Sequence, residues 1–341
     1  MVNRLDIEQP GALLQYLRET GRVEASETPV LTALKGGVSN RTVLVERANG
    51  QAWVIKQALP KLRVAEDWFS DPGRIHREAL GLIWLDRLAP PGTIPPFVFE
   101  DCQHHLLAMQ AVPQPHENWK TRLLAGGLER AHVIQFGQLL GTVHRRAREH
   151  QDELASLFAN RTFFETLRLE PYYRFCAARN LEAAGFLSRL ITETLATRLT
   201  LVHGDFSPKN ILMHQDRLVL LDHEVIHFGD PAFDLGFSLT HLLSKAHHVP
   251  PHQAAFLQAA RDYWQTYRQA AGEIARLAGL EARAVCHTLA CLLARVDGRS
   301  PLEYLSGAER TRQRAIVLSL IAQPPASLPD LFRAFEMKLK E

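Results

Sequence analysis

HGDFSPKN, at residues 203–210, is the stretch of this sequence that most constrains its fold and chemistry, and LLDHE follows it at residues 220–224. Short apolar runs at 211–213 and 218–221 fill the interval and predict two strands. A pair of strands would bring the polar residues at their ends together. We therefore expect four side chains to converge on one spot, those of Asp205, Asn210, Asp222 and Glu224.

These side chains carry oxygen atoms suited to a metal ion and to a proton transfer. Mg²⁺ prefers a few oxygen ligands from the protein, together with the phosphates of a substrate. Asp205 would then remain available to orient a substrate hydroxyl and to accept its proton. The order H-x-D-x-x-x-x-N, followed by a metal-binding Asp, is that of a kinase catalytic loop. The alternative, a polar turn and a strand end without a catalytic role, stays open at this point.

A glycine-rich turn lies near the N-terminus. It spans residues 35–41 and includes Gly36, Gly37, Ser39 and Asn40. Glycines allow backbone N–H groups to approach phosphate oxygens closely, so the turn is a candidate for binding the phosphates of a nucleotide. It matches neither GxxxxGK[ST] nor GxGxxG, and an ordinary turn before a strand is the alternative.

Two apolar runs at 43–45 and 53–55 flank Asn49-Gly50, a two-residue hairpin signal in which both residues tolerate positive φ. Lys56 follows the second run, and Glu78 lies on a predicted helix at about 73–86. A lysine at such a strand end can pair with nucleotide phosphates and with a carboxylate on the following helix. Each residue by itself also fits a solvated surface charge, but their order along the chain favours a kinase.

The apolar pattern divides the chain in two. Residues 1–112 show both strand and helix patterns, whereas residues 113–341 are helical in pattern apart from strands near 200–228. We therefore predict an α+β fold with two lobes. The small N-terminal lobe, built on an antiparallel sheet, would bind the nucleotide. The larger, mainly helical C-terminal lobe would carry the catalytic loop, the metal site and the pocket for the acceptor, the molecule that receives the phosphate.

Composition excludes several classes of protein. The 341 residues suggest about two domains, and 46% hydrophobic with 22% charged residues is typical of a folded globular protein. Lys and Arg number 39 against 37 Asp and Glu, a balance too even for a dedicated nucleic-acid-binding protein. The sequence shows no apolar run long enough for a membrane span and no signal-peptide pattern, and its four scattered cysteines fit free thiols. We expect a cytoplasmic protein with no membrane or nucleic-acid partner.

Over about residues 35–240 the chain resembles the aminoglycoside phosphotransferase/choline kinase superfamily, whose members have a protein-kinase-like fold. The resemblance rests on HGDFSPKN and on LLDHEVIHFGDPAFDLG at residues 220–236. The nucleotide lobe is most similar to that of methylthioribose kinases, through VIKQALP at 54–60, Arg63, EDW at 66–68 and Arg77-Glu78. The Arg-Arg substrate pair of that branch is not found, which favours another hydroxylated small molecule as the acceptor.

In the C-terminal lobe, the resemblance implies a role for each residue of the motif. It makes Asp205 the catalytic base and makes Asn210 and Asp222 ligands of Mg²⁺. Asp222-His223-Glu224 also matches the D-x-E of the methylthioribose kinases, which adds Glu224 as a further metal ligand. Asp234 would brace the catalytic loop.

In the N-terminal lobe, the resemblance implies an ATP site. Lys56 would contact the phosphates, and Glu78 would position Lys56. The hinge that faces the adenine would consist of Met109, Gln110, Ala111 and Val112.

The acceptor pocket is expected beside Asp205. Arg295 and Arg299, at the end of an apolar helix, could line it together with Lys209, although a charged helix end is the alternative for the two arginines. A polycationic aminoglycoside would need an acidic pocket, and the sequence shows no acidic cluster in the C-terminal half, so a sugar or sugar-like alcohol is favoured. An aminoglycoside, choline or homoserine-type phosphotransferase and a nucleotide-binding regulatory pseudokinase remain alternatives. A homodimer, as in the methylthioribose branch, also remains possible.

Overall fold

The apolar and polar alternation of the N-terminal region forms a five-stranded antiparallel sheet in the computed structural model, which describes residues 5–34, 37–63 and 68–341. Its strands, in the spatial order β1-β2-β3-β5-β4, are β1 (Val30–Ala33), β2 (Asn40–Glu46), β3 (Ala52–Ala58), β4 (Phe97–Asp101) and β5 (Leu106–Gln110). Gly36 and the pair Glu66-Asp67, which the sequence interpretation used, lie outside the described residues.

Two helices pack on this sheet. The first, α1 (Pro10–Glu19), shares an apolar cluster with Ile55 of β3, and the second, α2 (Arg74–Leu88), belongs to a different cluster that includes Met109 of β5. Successive side chains of a strand point to opposite faces. Because Ile55 lies in the cluster with α1, the next residue, Lys56, points to the other face of the sheet.

The β2–β3 hairpin forms as predicted, with Val43 opposite Ile55 and Val45 opposite Trp53. Its turn differs from the prediction. Gly50 donates its N–H to the carbonyl of Arg47, and only Gly50, with φ of +82°, takes the left-handed conformation. The connection is therefore longer than two residues, and Asn49 keeps an ordinary backbone conformation.

The rest of the chain forms a larger, mainly helical lobe, so the predicted α+β, two-lobed fold is confirmed. Its first helices, α3 to α8, are Trp119–Leu124, Arg130–Glu149, Gln151–Leu157, Thr162–Phe164, Phe175–Arg179 and Leu181–Ala196. The last five, α9 to α13, are Pro231–His248, Gln253–Ala271, Leu280–Asp297, Gly307–Ala322 and Leu328–Lys340. Short 3₁₀ turns lie at Pro208–Asn210, Pro250–His252 and Gly272–Arg276.

One helical segment departs from the expected geometry. Between α6 and α7, the residues Glu165–Arg174 have π-helical hydrogen bonding, with Pro171 inside the segment. Such segments are rare and often occur at functional sites. This segment carries Arg168, whose side chain reaches the catalytic loop.

Short strands interrupt the helices, as the sequence predicts for residues near 200–228. They are β6 (Glu117–Asn118), β7 (Thr200–Val202), β8 (Ile211–His214), β9 (Arg217–Leu220) and β10 (His227–Gly229). β8 pairs with both β6 and β9, and β7 pairs with β10, all antiparallel. Among the described residues, no helix is both long and apolar enough to cross a membrane.

Candidate active site

The predicted catalytic loop, residues 203–210, begins where β7 ends and is fixed by Asp234 at the start of α9. The two carboxylate oxygens of Asp234 accept hydrogen bonds from the backbone N–H groups of His203 (2.7 Å) and Gly204 (2.8 Å). Burial acts to raise the pKa of Asp234, but His144, 3.2 Å away, and the loop outweigh it and lower that pKa. Asp234 therefore stays charged and holds the backbone of the loop.

Asp205 lies within this loop, and two side chains fix its carboxylate. Asn210 Nδ2 donates to Oδ2 of Asp205 at 2.7 Å, and Arg168 Nη2 lies 3.0 Å from the same oxygen. Gly204, just before it, has φ of +78°, and a Cβ there would lie 2.9 Å from Val225 Cγ2. Within the described part of the chain, Oδ1 of Asp205 has no hydrogen-bond donor, so one oxygen is held and the other is available to a substrate.

The β8–β9 hairpin brings Asp222 beside this loop. Ile211 pairs with Leu220, and the N–H of Leu221 donates to the carbonyl of Asn210 at 2.9 Å, so the chain passes the loop a second time at Asp222. Asp222 has φ of +68°, a conformation that residues other than glycine seldom adopt and that is common at functional sites.

The electrostatic surroundings keep Asp222 ionised. Burial acts to raise its pKa, but Lys56, Lys209 and Arg168 outweigh burial and hold the pKa well below its ordinary value. The Nζ of Lys56 lies 3.4 Å from Asp222 Oδ1. The carboxylate is therefore charged at neutral pH, as a metal ligand must be.

Lys56 and Glu78 form a buried ion pair between β3 and α2, with Nζ 2.6 Å from Oε1. Burial raises the pKa of Glu78 to about 7, against the opposing effect of Lys56. For Lys56, burial acts to lower the pKa, but Glu78 and Asp222 outweigh it, and the pKa rises. Lys56 is thus a cation held between two carboxylates, one on each lobe.

Glu224 engages a second buried cation. Arg74 Nε lies 3.1 Å from Glu224 Oε2, and the Arg74 guanidinium also donates to the backbone carbonyl of Ser39 in the glycine-rich turn. Burial raises the pKa of Glu224, with Asp222 adding to the rise and Arg74 opposing it. One oxygen of Glu224 is therefore occupied by Arg74, and only the other is left for a metal.

Two adjoining cavities lie between the lobes and share Leu34, Thr42, Lys56 and Leu221 in their walls. The catalytic cavity, of about 680 Å³, is lined by residues that the sequence predicts to contact the phosphates, the metal or the acceptor. These are Gly37, Ser39, Asn40, Lys56, Asp205, Lys209, Asn210, Asp222, Glu224, Arg295 and Arg299. The hinge cavity, of about 670 Å³, is lined by the predicted hinge residues Met109, Gln110, Ala111 and Val112. Glu78 does not line either cavity and instead lies behind Lys56.

The structure adds residues that the sequence did not single out. Arg168 and Arg74 hold Asp205 and Glu224, and the walls of the catalytic cavity also include Lys120, Tyr172, His241 and Glu303. None of them stands in a recognisable motif. Arg168 lies far upstream of the catalytic loop, in the π-helical segment, and Arg74 lies in the first turn of an ordinary amphipathic helix. Only the fold brings them to the site.

Comparisons with known proteins identify the family of the chain. The model of the phosphotransferase enzyme family matches residues 30–280. The methylthioribose kinase of Pectobacterium atrosepticum is 25% identical over 295 residues, which cover 74% of this chain and 72% of that protein. The corresponding kinase of Yersinia pseudotuberculosis is 24% identical, with similar coverage.

Solved structures share the fold at low sequence identity. An amicoumacin kinase, in complex with AMP-PNP, Ca²⁺ and Ami, aligns with a TM-score of 0.57 at 12% identity, over 92% of this chain and 95% of that one. A choline/ethanolamine kinase family protein from Mesorhizobium loti aligns with a TM-score of 0.53 at 14% identity, over 96% and 99%. The family match covers well over half of the sequence, and the chain therefore belongs to the phosphotransferase enzyme family, whose members transfer phosphate to an alcohol group.

Proposed function

We propose that this protein is an ATP-dependent small-molecule kinase that transfers the γ-phosphate of ATP to a hydroxyl of a sugar or sugar-like metabolite. The observation that carries the proposal is the convergence, in one cavity, of Asp205 with a free carboxylate oxygen, Asp222, and the Lys56–Glu78 ion pair. A regulatory pseudokinase would not need to keep a positioned base together with the residues that bind phosphate and metal.

The residues present fit Mg²⁺. The amide nitrogen of Asn210 is committed to Asp205, so its amide oxygen is the atom left for a ligand, and the Asp222 side chain keeps 23% of its surface exposed to the cavity. A carboxylate with an amide oxygen is a donor set that Mg²⁺ accepts alongside phosphates. Asn210 and Asp222 would hold the ion, with the second oxygen of Glu224 as a further ligand. The bound ion would neutralise the charge of the phosphates.

The N-terminal lobe fits ATP. The hinge cavity has apolar walls on both sides, from Val54 and Met109 of the sheet and Leu212 of β8, and such a slot suits a planar base. Lys56 lines both cavities, as do Leu34 and Thr42 on either side of the glycine-rich turn, whereas Gly37, Ser39 and Asn40 of the turn line the catalytic cavity. The phosphates of a nucleotide bound at the hinge would therefore extend towards Asp222. The amicoumacin kinase, which shares this fold, binds the ATP analogue AMP-PNP with a divalent cation.

Phosphate transfer requires mainly that the protein position the acceptor hydroxyl and neutralise the charge of the phosphates. The acceptor hydroxyl would donate a hydrogen bond to Oδ1 of Asp205, while Oδ2 is held by Asn210 and Arg168. The hydroxyl oxygen forms a bond to the γ-phosphorus, and the bond between that phosphorus and the β-γ bridging oxygen breaks, which releases ADP. The hydroxyl proton passes to Asp205, and Lys56 offsets negative charge on the phosphates.

The test is acceptor-dependent release of ADP from ATP in the presence of Mg²⁺. The panel contains methylthioribose, hexoses, sugar acids, amino sugars, choline, homoserine and kanamycin, and Asp205→Asn serves as the blank. We expect at least one acceptor to stimulate ADP release. We also expect Asp205→Asn to lose turnover by about 10²–10⁴-fold, the usual contribution of a positioned base, while it still binds ATP by calorimetry.

Two results would refute this function. Full activity of Asp205→Asn would remove Asp205 from the role of base. Absence of ATP binding to the wild-type chain in the presence of Mg²⁺ would refute the assignment as a kinase altogether.

A further inference from the structure

The catalytic cavity contains more cations than its own acids can neutralise. Each of its four acids has a cationic partner: Asp205 with Arg168, Asp222 with Lys56, Glu224 with Arg74, and Glu303 with Lys120. Three further cations line the same walls, namely Lys209, Arg295 and Arg299. Within the described residues, none of these three has a carboxylate within ion-pair distance. The surplus is therefore local and lies on the C-terminal lobe.

Arg295 is the most informative of the three because it is 7% exposed. Its Nη1 donates to the carbonyl and the hydroxyl of Ser300, at 2.9 and 3.2 Å, and its guanidinium lies about 5 Å from the rings of Tyr172 and Phe237. Its Nε is buried without a hydrogen-bond acceptor in the described structure. Burial of a guanidinium without an anion is costly, so a side chain kept in this state indicates an anion that arrives with a ligand.

The surplus of cations also lowers the pKa values of neighbouring groups. Burial lowers the pKa of His241, which also lines the cavity, and Arg295, Lys245, Lys120 and Lys209 each lower it further. Burial likewise lowers the pKa of Lys245 to about 7, with Lys120 and Arg295 adding to the effect and Glu303 opposing it. A cation bound here would meet repulsion, whereas an anion would be attracted.

The surplus lies on the side of Asp205 where the acceptor is expected. Arg168, which holds Asp205, lies 5.8 Å from the ring of Tyr172, and Arg295 lies 4.9 Å from the same ring. Lys56, the cation assigned to the nucleotide phosphates, belongs to the other lobe and already contacts Glu78 and Asp222. Arg295 is thus separated from Asp205 by the side chains of Tyr172 and Arg168, and Arg299 lines the same cavity.

We propose that the acceptor is a hydroxylated anion, whose carboxylate or phosphate group binds Arg295 and Arg299 while one of its hydroxyls faces Asp205. This proposal rests on the proposed kinase function and adds the substrate class. The anionic group takes no part in the bond changes, which remain those at the hydroxyl oxygen and the γ-phosphorus. Guanidinium groups bind carboxylates and phosphates through paired hydrogen bonds, which explains why arginines stand at this position.

The experiment compares acceptors that share a carbon skeleton and differ in one group, which is anionic in one member of each pair and neutral in the other. Ribonate is paired with ribitol, gluconate with glucitol, and ribose 5-phosphate with ribose. Binding to the full chain is measured by calorimetry with saturating Mg²⁺ and AMP-PNP, so that anions cannot compete for the nucleotide site, and turnover is measured by ADP release. We expect at least one anion to bind about tenfold or more tightly than its neutral partner. The carboxylate and phosphate pairs then distinguish the two kinds of anion.

Variants locate the effect. Arg295→Gln and Arg299→Gln should each remove the preference for the anion and raise the acceptor KM, with the KM for ATP unchanged. Arg295→Lys should keep part of the preference because the charge remains. Arg276→Gln, which removes an exposed arginine outside both cavities, is the matched control and should change nothing. Arg299 is exposed, so its variant tests the proposal even if Arg295→Gln fails to fold.

The outcomes separate this proposal from the kinase assignment. Turnover with neutral acceptors at the same efficiency as with their anionic partners would overturn the anion proposal and leave the kinase intact. The same holds if none of the anions binds in an Arg295-dependent or Arg299-dependent way, or if the variants raise the KM for ATP instead. Loss of nucleotide binding by the wild-type chain would refute the kinase itself.

Discussion

The two ends of the catalytic cavity differ in how their charges are balanced. At the catalytic end, each acid faces a cation at 3.0–3.4 Å, in the pairs Asp205–Arg168, Glu224–Arg74 and Asp222–Lys56. At the acceptor end, neither Arg295 nor Arg299 has a carboxylate within ion-pair distance among the described residues, and the nearby Glu303 is paired with Lys120. The first end is therefore organised before any ligand binds, whereas the second end is completed by what it binds.

This difference in charge balance predicts that the two ends affect different properties, the rate of phosphate transfer at the catalytic end and the choice of acceptor at the acceptor end. Preorganised charges lower the barrier because they need no rearrangement during the reaction. Substitutions at the catalytic end should therefore reduce turnover with every acceptor. Unbalanced charges select a ligand of opposite sign, so substitutions at the acceptor end should change which molecule is used. Because a buried cation without a carboxylate partner costs stability, removal of such a cation near the acceptor end should stabilise the protein.

After Asp205→Asn, the largest effect is expected for Asp222→Asn, which removes a charge from the proposed metal site. Turnover should fall on the order of 10²–10³-fold, and more Mg²⁺ should be required, because a neutral amide binds the ion more weakly. The measurement is kcat/KM for ATP across a Mg²⁺ titration, with the melting temperature as a check of folding. Asparagine tolerates the left-handed backbone of this position.

Asp216→Asn is the matched control for this variant. Asp216 also has a left-handed backbone, with φ of +59°, but it lies exposed in the β8–β9 turn. It should keep wild-type kinetics. If the two variants behave alike, Asp222 does not bind the metal, and the charge of Asp222 is not required at the catalytic end.

A smaller loss is expected for Glu78→Gln, which weakens the hold on Lys56 without touching a ligand. A charge-assisted hydrogen bond contributes about 1.5–3 kcal/mol, so kcat/KM for ATP should fall roughly ten- to hundredfold. Asp86→Asn, at an exposed position of the same helix, is the control. An unchanged kcat/KM would mean that Asp222 alone positions Lys56.

The pH profile tests the same ion pair. Because the pKa of Glu78 is raised to about 7, the carboxylate is ionised above that pH and becomes protonated below it. The kcat/KM for ATP of the wild-type chain should therefore fall as pH drops through about 7. Glu78→Gln cannot titrate and should lack this limb. An identical acidic limb in both proteins would assign the titration to another group.

The catalytic end could be predicted from the sequence because its residues belong to a local pattern. The spacing between Asn210 and Asp222 is set by one short hairpin, so the order of polar and apolar residues was enough to place both at one site. Lys56 was predicted by the same kind of argument, from its position at the end of a strand. The structure brings these residues together, and their roles as base, metal ligands and phosphate contact stay predictions.

The charge balance of the cavity could not be predicted in this way. Arg168 and Arg74 come from distant helical segments, and no periodicity distinguishes a helical arginine that points into a cleft from one that points into solvent. The sequence predicts that Arg295 and Arg299 line the acceptor pocket. It could not show that they lack a carboxylate within ion-pair distance, since that depends on three-dimensional contacts. The π-helical hydrogen bonding of Glu165–Arg174, which carries Arg168, also has no signal in the sequence.

The smallest predicted effect concerns Lys245, and it is a gain rather than a loss, because its substitution should stabilise the protein. It lies fully buried on α9, and burial lowers its pKa to about 7, well below the value of an exposed lysine. Below pH 7 the folded protein must carry a buried charge, which costs stability. Between pH 7 and about 10.5 the unfolded chain binds this proton and the folded chain does not, so the cost falls as pH rises. Lys245→Met should therefore stabilise the protein at pH 6 by about 1–3 kcal/mol, and the gain should shrink towards pH 10.

The free energy of unfolding, measured in urea at pH 6, 8 and 10, tests this, with Lys338→Met at a partly exposed position as the control. A gain that shrinks with pH requires that Lys245 lose its proton in the folded state, as its burial and, to a smaller extent, the nearby Lys120 and Arg295 favour. A constant difference across the three pH values would instead mean that an anion or a rearranged carboxylate already neutralises Lys245. The acceptor end would then be as balanced as the catalytic end, and the argument for an anionic acceptor would lose its electrostatic basis.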